Sequence, residues 1–316
     1  MRKMWIVAAG LLCFVAQGAR AQSFEQQVPP ISERASVGAQ QLRRNIAAAH
    51  AQQANQSAPN PADALDETKV GVAAKFVPVK AGEFEMGSPT DEEGRWNDEI
   101  QHRVKLTKGF EMQATEVTQL QYFLVTGRNP SFFRTEDKCD KDNFKAVNGG
   151  LCVNHPVESL SWDDAQKFIE ELNRIQSKYT YRLPTEAEWE RAAHAGMPSG
   201  FPYSFGFNAT NELGKHGWYD GNSGGRTHAV ASRKANRYDL YDVHGNVWEW
   251  TQDWYGGYPR TAVTDPTGPA TGSSRVVRGG SWGSGAGSWR SANRGRADPG
   301  VRRPSLGFRL VRVRRD

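Results

Sequence analysis

Between Leu240 and Trp254 the chain reads Leu-Tyr-Asp-Val-His-Gly-Asn-Val-Trp-Glu-Trp-Thr-Gln-Asp-Trp, and no other segment restricts the fold so much. Its Gly-Asn pair and its tryptophans at 248, 250 and 254 belong to a stretch of short strands and turns rather than long regular elements. Arg278-Gly-Gly-Ser-Trp282 and Gly307-Phe-Arg309 continue the same vocabulary of turns, aromatic rings and guanidinium groups. Such short strands are a poor match for repeats or for a nucleotide-binding βαβ unit. No G-x-x-x-x-G-K-[ST] run occurs. Gly221-Asn-Ser-Gly-Gly225 leads into no strong helix, so it makes only a weak phosphate cradle.

The N-terminus has a different character. Arg2 and Lys3, the apolar stretch Trp5 to Ala16 and the small-x-small run Ala19-Arg20-Ala21 read as a signal peptide over residues 1–21, which predicts a periplasmic or secreted protein. The apolar stretch falls short of the roughly 20 residues that span a bilayer, and no later segment approaches that length. Cys13 follows Leu11 and Leu12 rather than small residues, which argues against a lipid anchor. Residues 22–72, rich in Ala, Gln, Asn and Ser, read as a flexible linker or partner-binding arm, with a weak helix between Gly38 and Ala54.

Residues 73–316 read as one domain with a substantial core. Alternation on both sides of Ala81-Gly82 predicts a hairpin. Ser161 is placed to cap a helix whose Phe168, Ile169 and Leu172 share a face, and Thr185-Glu-Ala-Glu188 is a capping box for a second. With the signal removed, Cys139 and Cys152 remain, and an even count in an oxidising compartment predicts a disulfide. Neither C-x-x-C spacing nor a neighbouring histidine cluster supports a redox pair or metal site instead. The net charge is +5 and arginine is dense from Arg278 to Arg315. These arginines alternate with Trp, Gly and aliphatic residues, a pattern suited to stacking and carboxylate pairing rather than nucleic-acid binding.

Taken in order, Phe84-Glu-Met-Gly-Ser88, Glu116-Val-Thr118, Pro156-Val-Glu-Ser-Leu-Ser-Trp162, Arg182-Leu-Pro-Thr-Glu-Ala-Glu-Trp-Glu190 and the three C-terminal blocks resemble the formylglycine-generating enzyme (sulfatase-modifying factor) family. The resemblance implies an α+β fold, an elaborated C-type-lectin-like domain with little regular secondary structure. It also implies structural calcium, held by the side chains of Asp242 and Glu249 and the carbonyls of Gly245 and Val247, a hard-oxygen set suited to that ion. A second calcium site would lie near Asp220 and Asn222.

The family's copper-binding cysteine pair is missing. The interval from Gly283 to Pro299 contains no cysteine, nor does any position after Cys152, and Ser284 and Trp289 fall roughly opposite the two thiols. Copper and formylglycine-generating oxidase activity are therefore not expected, because Cu(I) wants soft thiolates. The related sulfoxide synthases hold iron on histidines of an added domain, whereas only His50 precedes this one. Three readings follow. The first is an exported binding or accessory module for a protein, peptide or glycan, with Trp282, Ser284, Trp289, Arg290, Asn293 and Arg294 lining its groove. The second is a periplasmic tailoring oxidoreductase of non-cysteine chemistry, its active groups drawn from His228, His244, Asp253 and Glu249. The third is a surface-displayed variable recognition region, which the Gly-rich, Asn-poor loop supports little. The first is preferred, and whether any catalysis occurs stays open.

Overall fold

The computed structural model describes residues 74–315 except 141, 142, 148, 199, 207 and 208, and describes only the backbone of residues 209–211. The signal peptide, the linker with its weak helix, and Lys141, Asp142 and Asn148 of the cystine loop lie outside the described residues.

Strands β1 (Phe76–Val79), β4 (Phe110–Gln113), β13 (Val311–Arg314) and β7 (Tyr179–Arg182) form one sheet in the order β1-β4-β13-β7. The first and last strands of the described chain thus share β4, which closes the domain on itself. A second sheet, ordered β11-β10-β8-β12, centres on the tryptophan-rich run. It contains β8 (Trp248–Trp254), β10 (Arg275–Arg278), β11 (Gly295–Ala297) and β12 (Leu306–Gly307). The third sheet holds β2 (Gly82–Met86), β3 (His102–Leu106) and β9 (Val263–Thr264), and the fourth pairs β5 (Phe144–Lys145) with β6 (Leu151–Cys152).

The predicted hairpin at Ala81-Gly82 does not form. β1 pairs with β4 and β2 with β3, so the two residues carry the chain from one sheet to another. The physical reason is Arg191, whose guanidinium takes the carbonyls of Lys80, Ala81 and Glu83 and so occupies acceptors a hairpin would use.

The capped helices do form. Helix α2 (Trp162–Ile175) begins on a capping box between Ser161 and Asp164, and it buries Ala165, Phe168, Ile169 and Leu172. Helix α3 (Glu186–His194) begins on the Thr185–Glu188 box. Two helices were not anticipated, α1 (Gln119–Thr126) and α4 (Ala209–His216). The first carries its own box, Thr118 with Gln121, inside a block read only for family resemblance. One core packs α1 and α2 against Trp250, Leu306 and Phe308, and another packs Val77, Met112, Trp189, Val243 and Val311. The Cys139–Cys152 disulfide is present, with Cα atoms 5.3 Å apart.

Candidate functional site

An open groove of about 770 Å³ runs between the acidic loop Pro89–Gly94 and the glycine-rich segment around Ala286 and Gly287. Arg290, Pro202 and Tyr203 complete its walls. Asp91 and Glu93 are exposed on the lip, and Trp96 on the same loop is 66% exposed. Arg290 is 2% exposed and adds no net positive charge. Its guanidinium donates to Glu92 at 2.7 Å and to both oxygens of Glu99 at 2.6 Å. The groove therefore presents negative charge to whatever enters it.

Behind this wall lies a lattice of buried ion pairs. Arg278 Nη2 donates to Glu190 at 2.6 Å and Nη1 to Glu186 at 3.3 Å, while Arg294 makes two bonds to Glu186 at 2.7 and 2.9 Å. Glu186 and Glu190 sit one turn apart on α3 and so face the same strands. Burial opposes the charge on Glu190, but Arg278, His194 and the Gly87 amide together outweigh it and hold the carboxyl below its usual range.

A second buried cluster is built differently. Arg309 makes a two-pronged contact with Glu249 at 2.6 and 2.7 Å, and Trp189 Nε1 donates to the same carboxylate at 2.8 Å. Beside it Glu116 is 0% exposed and neither of its oxygens has a partner, and Asp242 Oδ1 is likewise buried without one. Asp242 Oδ2 accepts from the Ala231 amide at 2.7 Å. Burial first, then the charge of Asp242, raises Glu116 well above its usual value, while burial, with the charge of Glu249 behind it, pushes Asp242 up to about 6 against the pull of the Ala231 amide and Arg309.

The two histidines expected as active groups are both buried and hydrogen-bonded within the fold. His244 is 1% exposed, donates from Nδ1 to the Trp289 carbonyl at 2.7 Å and accepts at Nε2 from the Ser204 amide and hydroxyl. Burial pushes it down to about 3, so it stays neutral. His228 stacks on Trp218 at 3.7 Å, donates to the Ser223 carbonyl and faces Asp140 at 3.3 Å. Asp140 also meets His155 and Arg226 beside Cys139, a junction the sequence reading missed because its members are scattered from 139 to 228. Burial opposes the Asp140 charge, yet hydrogen bonds from His155, His228 and the Ala229 amide hold it far below the usual range.

The sequence pattern of the sulfatase-modifying factor enzyme 1-like domain matches residues 61–314 of this chain. The protein belongs to that family. The match reaches back into the segment read as a linker. The chain is 31% identical over 254 residues to the serine/threonine-protein kinase pkn1 of Chlamydia pneumoniae, covering 76% of this chain and 38% of that one. It is 37% identical over 177 residues to the formylglycine-generating enzyme of Streptomyces coelicolor, covering 50% and 52%. It thus spans about two fifths to half the length of these relatives. The solved structure of Treponema denticola variable protein 1 is 32% identical with a TM-score of 0.64, covering 75% of this chain and 94% of that one. The fold is the α+β, C-type-lectin-like fold of the sulfatase-modifying factor family.

The family expectations then meet the geometry. Of the six residues expected to line a ligand groove, Arg290 is the one in the wall of this groove. Trp289 is 0% exposed, its ring packed over Gly280 and against Gly245, which at φ +101° has no Cβ to clash. Asn293 is buried and donates to the Ser288 carbonyl, Ser284 bonds Ser281, and Trp282 packs edge-on against Phe133. Arg294 lines a different cavity together with Asp253. Arg278 ties down the far end of this segment by taking the carbonyls of Ser291 and Ala292, while Gly283, Gly285 and Gly287 stay exposed.

The calcium set fits in part. Glu249 is engaged by Arg309 and Trp189. Asp242 keeps a free buried oxygen, and Glu116, which sequence reading did not consider, offers two more. Among the described residues no three His, Cys, Asp or Glu side chains are grouped to hold a metal, so backbone carbonyls would have to complete the shell. Asp220 and Asn222 do not share a carboxylate cluster, since the Asn222 side chain is spent on Tyr219 and Gly217.

Proposed function

We propose that this protein is an exported accessory module that holds a basic peptide segment of a partner protein in the groove beside Arg290. The observation that carries this reading is the groove itself, 770 Å³ with exposed Asp91 and Glu93 on its lip and an internally neutralised arginine in its wall. Its Gly-rich side has no thiol, and the chain's only cysteines beyond the N-terminal segment are bonded to each other. Copper chemistry on a thiolate pair has no ligands here. The tailoring-enzyme reading is not adopted, because His228, His244 and Asp253 do not line the groove. The N-terminal signal sequence and the disulfide support export to the periplasm or beyond.

Calcium is part of this proposal, held by Asp242 and Glu116 with neighbouring carbonyls. It would supply positive charge to a pair of carboxylates that has none of its own.

Fluorescence anisotropy with labelled peptides of equal length, one rich in Lys and Arg and one rich in Asp and Glu, tests the groove. The basic peptide is expected to bind in a salt-sensitive way, and Asp91→Lys with Glu93→Lys to weaken it about tenfold. Equal binding of both peptides, or an unchanged affinity in the double variant, sinks the reading.

A further inference from the structure

The loop from Gly256 to Pro269 roofs an open cavity of about 560 Å³, within the size range of small-molecule sites. The cavity and the peptide groove share the Arg290–Arg294 segment as a common wall. The roof is anchored at several points. β9 pairs with β3, the Thr107 amide and hydroxyl donate to Asp265, and Arg294 Nη1 donates to the Gly256 carbonyl at 3.0 Å. Gly268, at φ +73°, lets the roof press on Asp253, where a Cβ would come within 3.0 Å of the Asp253 Cβ and the Trp254 carbonyl.

The lining is apolar along Met86, Trp254, Tyr258, Pro259, Pro266 and Pro269. Its charged groups are mostly spent. Glu186 is neutralised by Arg294 and Arg278, and Asp265 is held by Thr107. Asp253, 3% exposed, accepts the Glu186 amide at 2.9 Å and pairs with no Lys or Arg among the described residues. Unlike Asp265, which is exposed and held by Thr107, it is a buried lining carboxyl with no ion pair among the described residues.

We propose that this cavity is a ligand site for a small organic amine, whose ammonium group pairs with Asp253 while its apolar body lies against Trp254, Tyr258 and Pro269. Glu186 and Glu188 on α3 face Asp253, as do Arg294 and Arg275 from the other side. Burial first, then the charge of Glu186, pushes the Asp253 carboxyl up to about 7, against the pull of the Glu186 amide and Arg294. An ammonium group restores the ionised form, so binding below neutrality releases a proton and tightens as pH rises. An anion would meet two carboxylates, and a neutral molecule would leave Asp253 uncompensated. This site is independent of the peptide groove and fails or stands separately.

Calorimetric titration of the purified protein with benzylamine, benzyl alcohol and benzoate, at about pH 5.5 and about pH 8, is the test. Benzylamine is expected to bind saturably, at least about tenfold tighter at the higher pH and at least about tenfold tighter there than the other two. Asp253→Asn removes both the preference and the pH dependence. Thr267→Trp, on the exposed roof, fills the mouth and abolishes binding with the melting temperature retained, and it decides the matter if the Asn variant does not fold. Benzylamine binding no tighter than benzyl alcohol at the higher pH, or surviving Thr267→Trp, overturns the site.

Discussion

Two regions of this molecule bury carboxylates in a similar setting and treat them in opposite ways. Around α3, Glu186 and Glu190 face Arg278 and Arg294, two charges against two. Around β8, Glu249 is matched by Arg309, but Glu116 and Asp242 have no cation of their own. The first region is a finished structural lattice. The second stays short of positive charge until a proton or a metal ion joins it, and a ligand-dependent property is to be looked for there.

The largest test of that contrast is Arg278→Met. It strands the buried carboxylate of Glu190 and leaves Glu186 to Arg294 alone, and is expected to cost about 3–5 kcal/mol in urea unfolding, whereas Arg302→Ala, which breaks an exposed pair with Asp164, costs about 1 kcal/mol or less. Similar losses in both variants would mean that burial does not distinguish the pairs.

Asp253 marks the edge of the balanced region. In the unfolded chain it releases its proton near 3.8, and in the fold it holds the proton to about 7. The folded state therefore binds more protons between these values, and this residue's contribution to stability falls as pH rises through that window. Asp253→Asn is expected to gain on the wild type by up to about 4 kcal/mol between about pH 4 and about pH 8. A constant difference across that range would show that the carboxyl titrates normally.

The unbalanced region is tested by metal. Calcium at about a hundred times its dissociation constant is expected to stabilise the protein by about 3 kcal/mol, seen as a higher melting temperature that a chelator reverses. The double variant Glu116→Gln, Asp242→Asn is expected to be insensitive to calcium and to melt above the metal-free wild type. A wild-type melt indifferent to both calcium and chelator would leave a shared proton as the balancing charge.

The smallest effect is expected at Tyr258. Its hydroxyl is buried without a partner, under the charges of Glu186, Arg294 and Arg278. Tyr258→Phe should then change stability by less than about 1 kcal/mol, in either direction. A loss of more than about 2 kcal/mol would mean that the hydroxyl is bonded in solution, for instance to water.

Much of the scaffold was legible in the order of residues. The capping boxes at Ser161 and Thr185, the cystine, and the pairing of arginines with carboxylates and aromatic rings all follow from local chemistry or composition. Arg275, for example, lies over Trp254 at 3.5 Å and over Trp162 at 3.8 Å. The site was far less legible. Trp289 and Asn293 lie in the right segment, but Trp289 is buried against Gly245, which comes from another element, and Asn293 is turned onto the Ser288 carbonyl. Glu116 stood in a quoted block, yet nothing beside it in sequence reveals that Asp242 lies next to it or that Arg309 nearby spends its hydrogen bonds on Glu249 instead. The hairpin at Ala81 failed for the same reason, since Arg191, far along the chain, takes its carbonyls.

The sequence by itself determined the family, the fold class, the starts of α2 and α3 and the loss of a thiol pair, because these depend on residue identity and short-range spacing. Only the tertiary structure decided which carboxylates are neutralised, which aromatic rings are buried and which hollows remain open. Those outcomes depend on charges and surfaces brought together from distant segments, and pairing over a few ångströms in a dry interior outweighs any preference written along the chain.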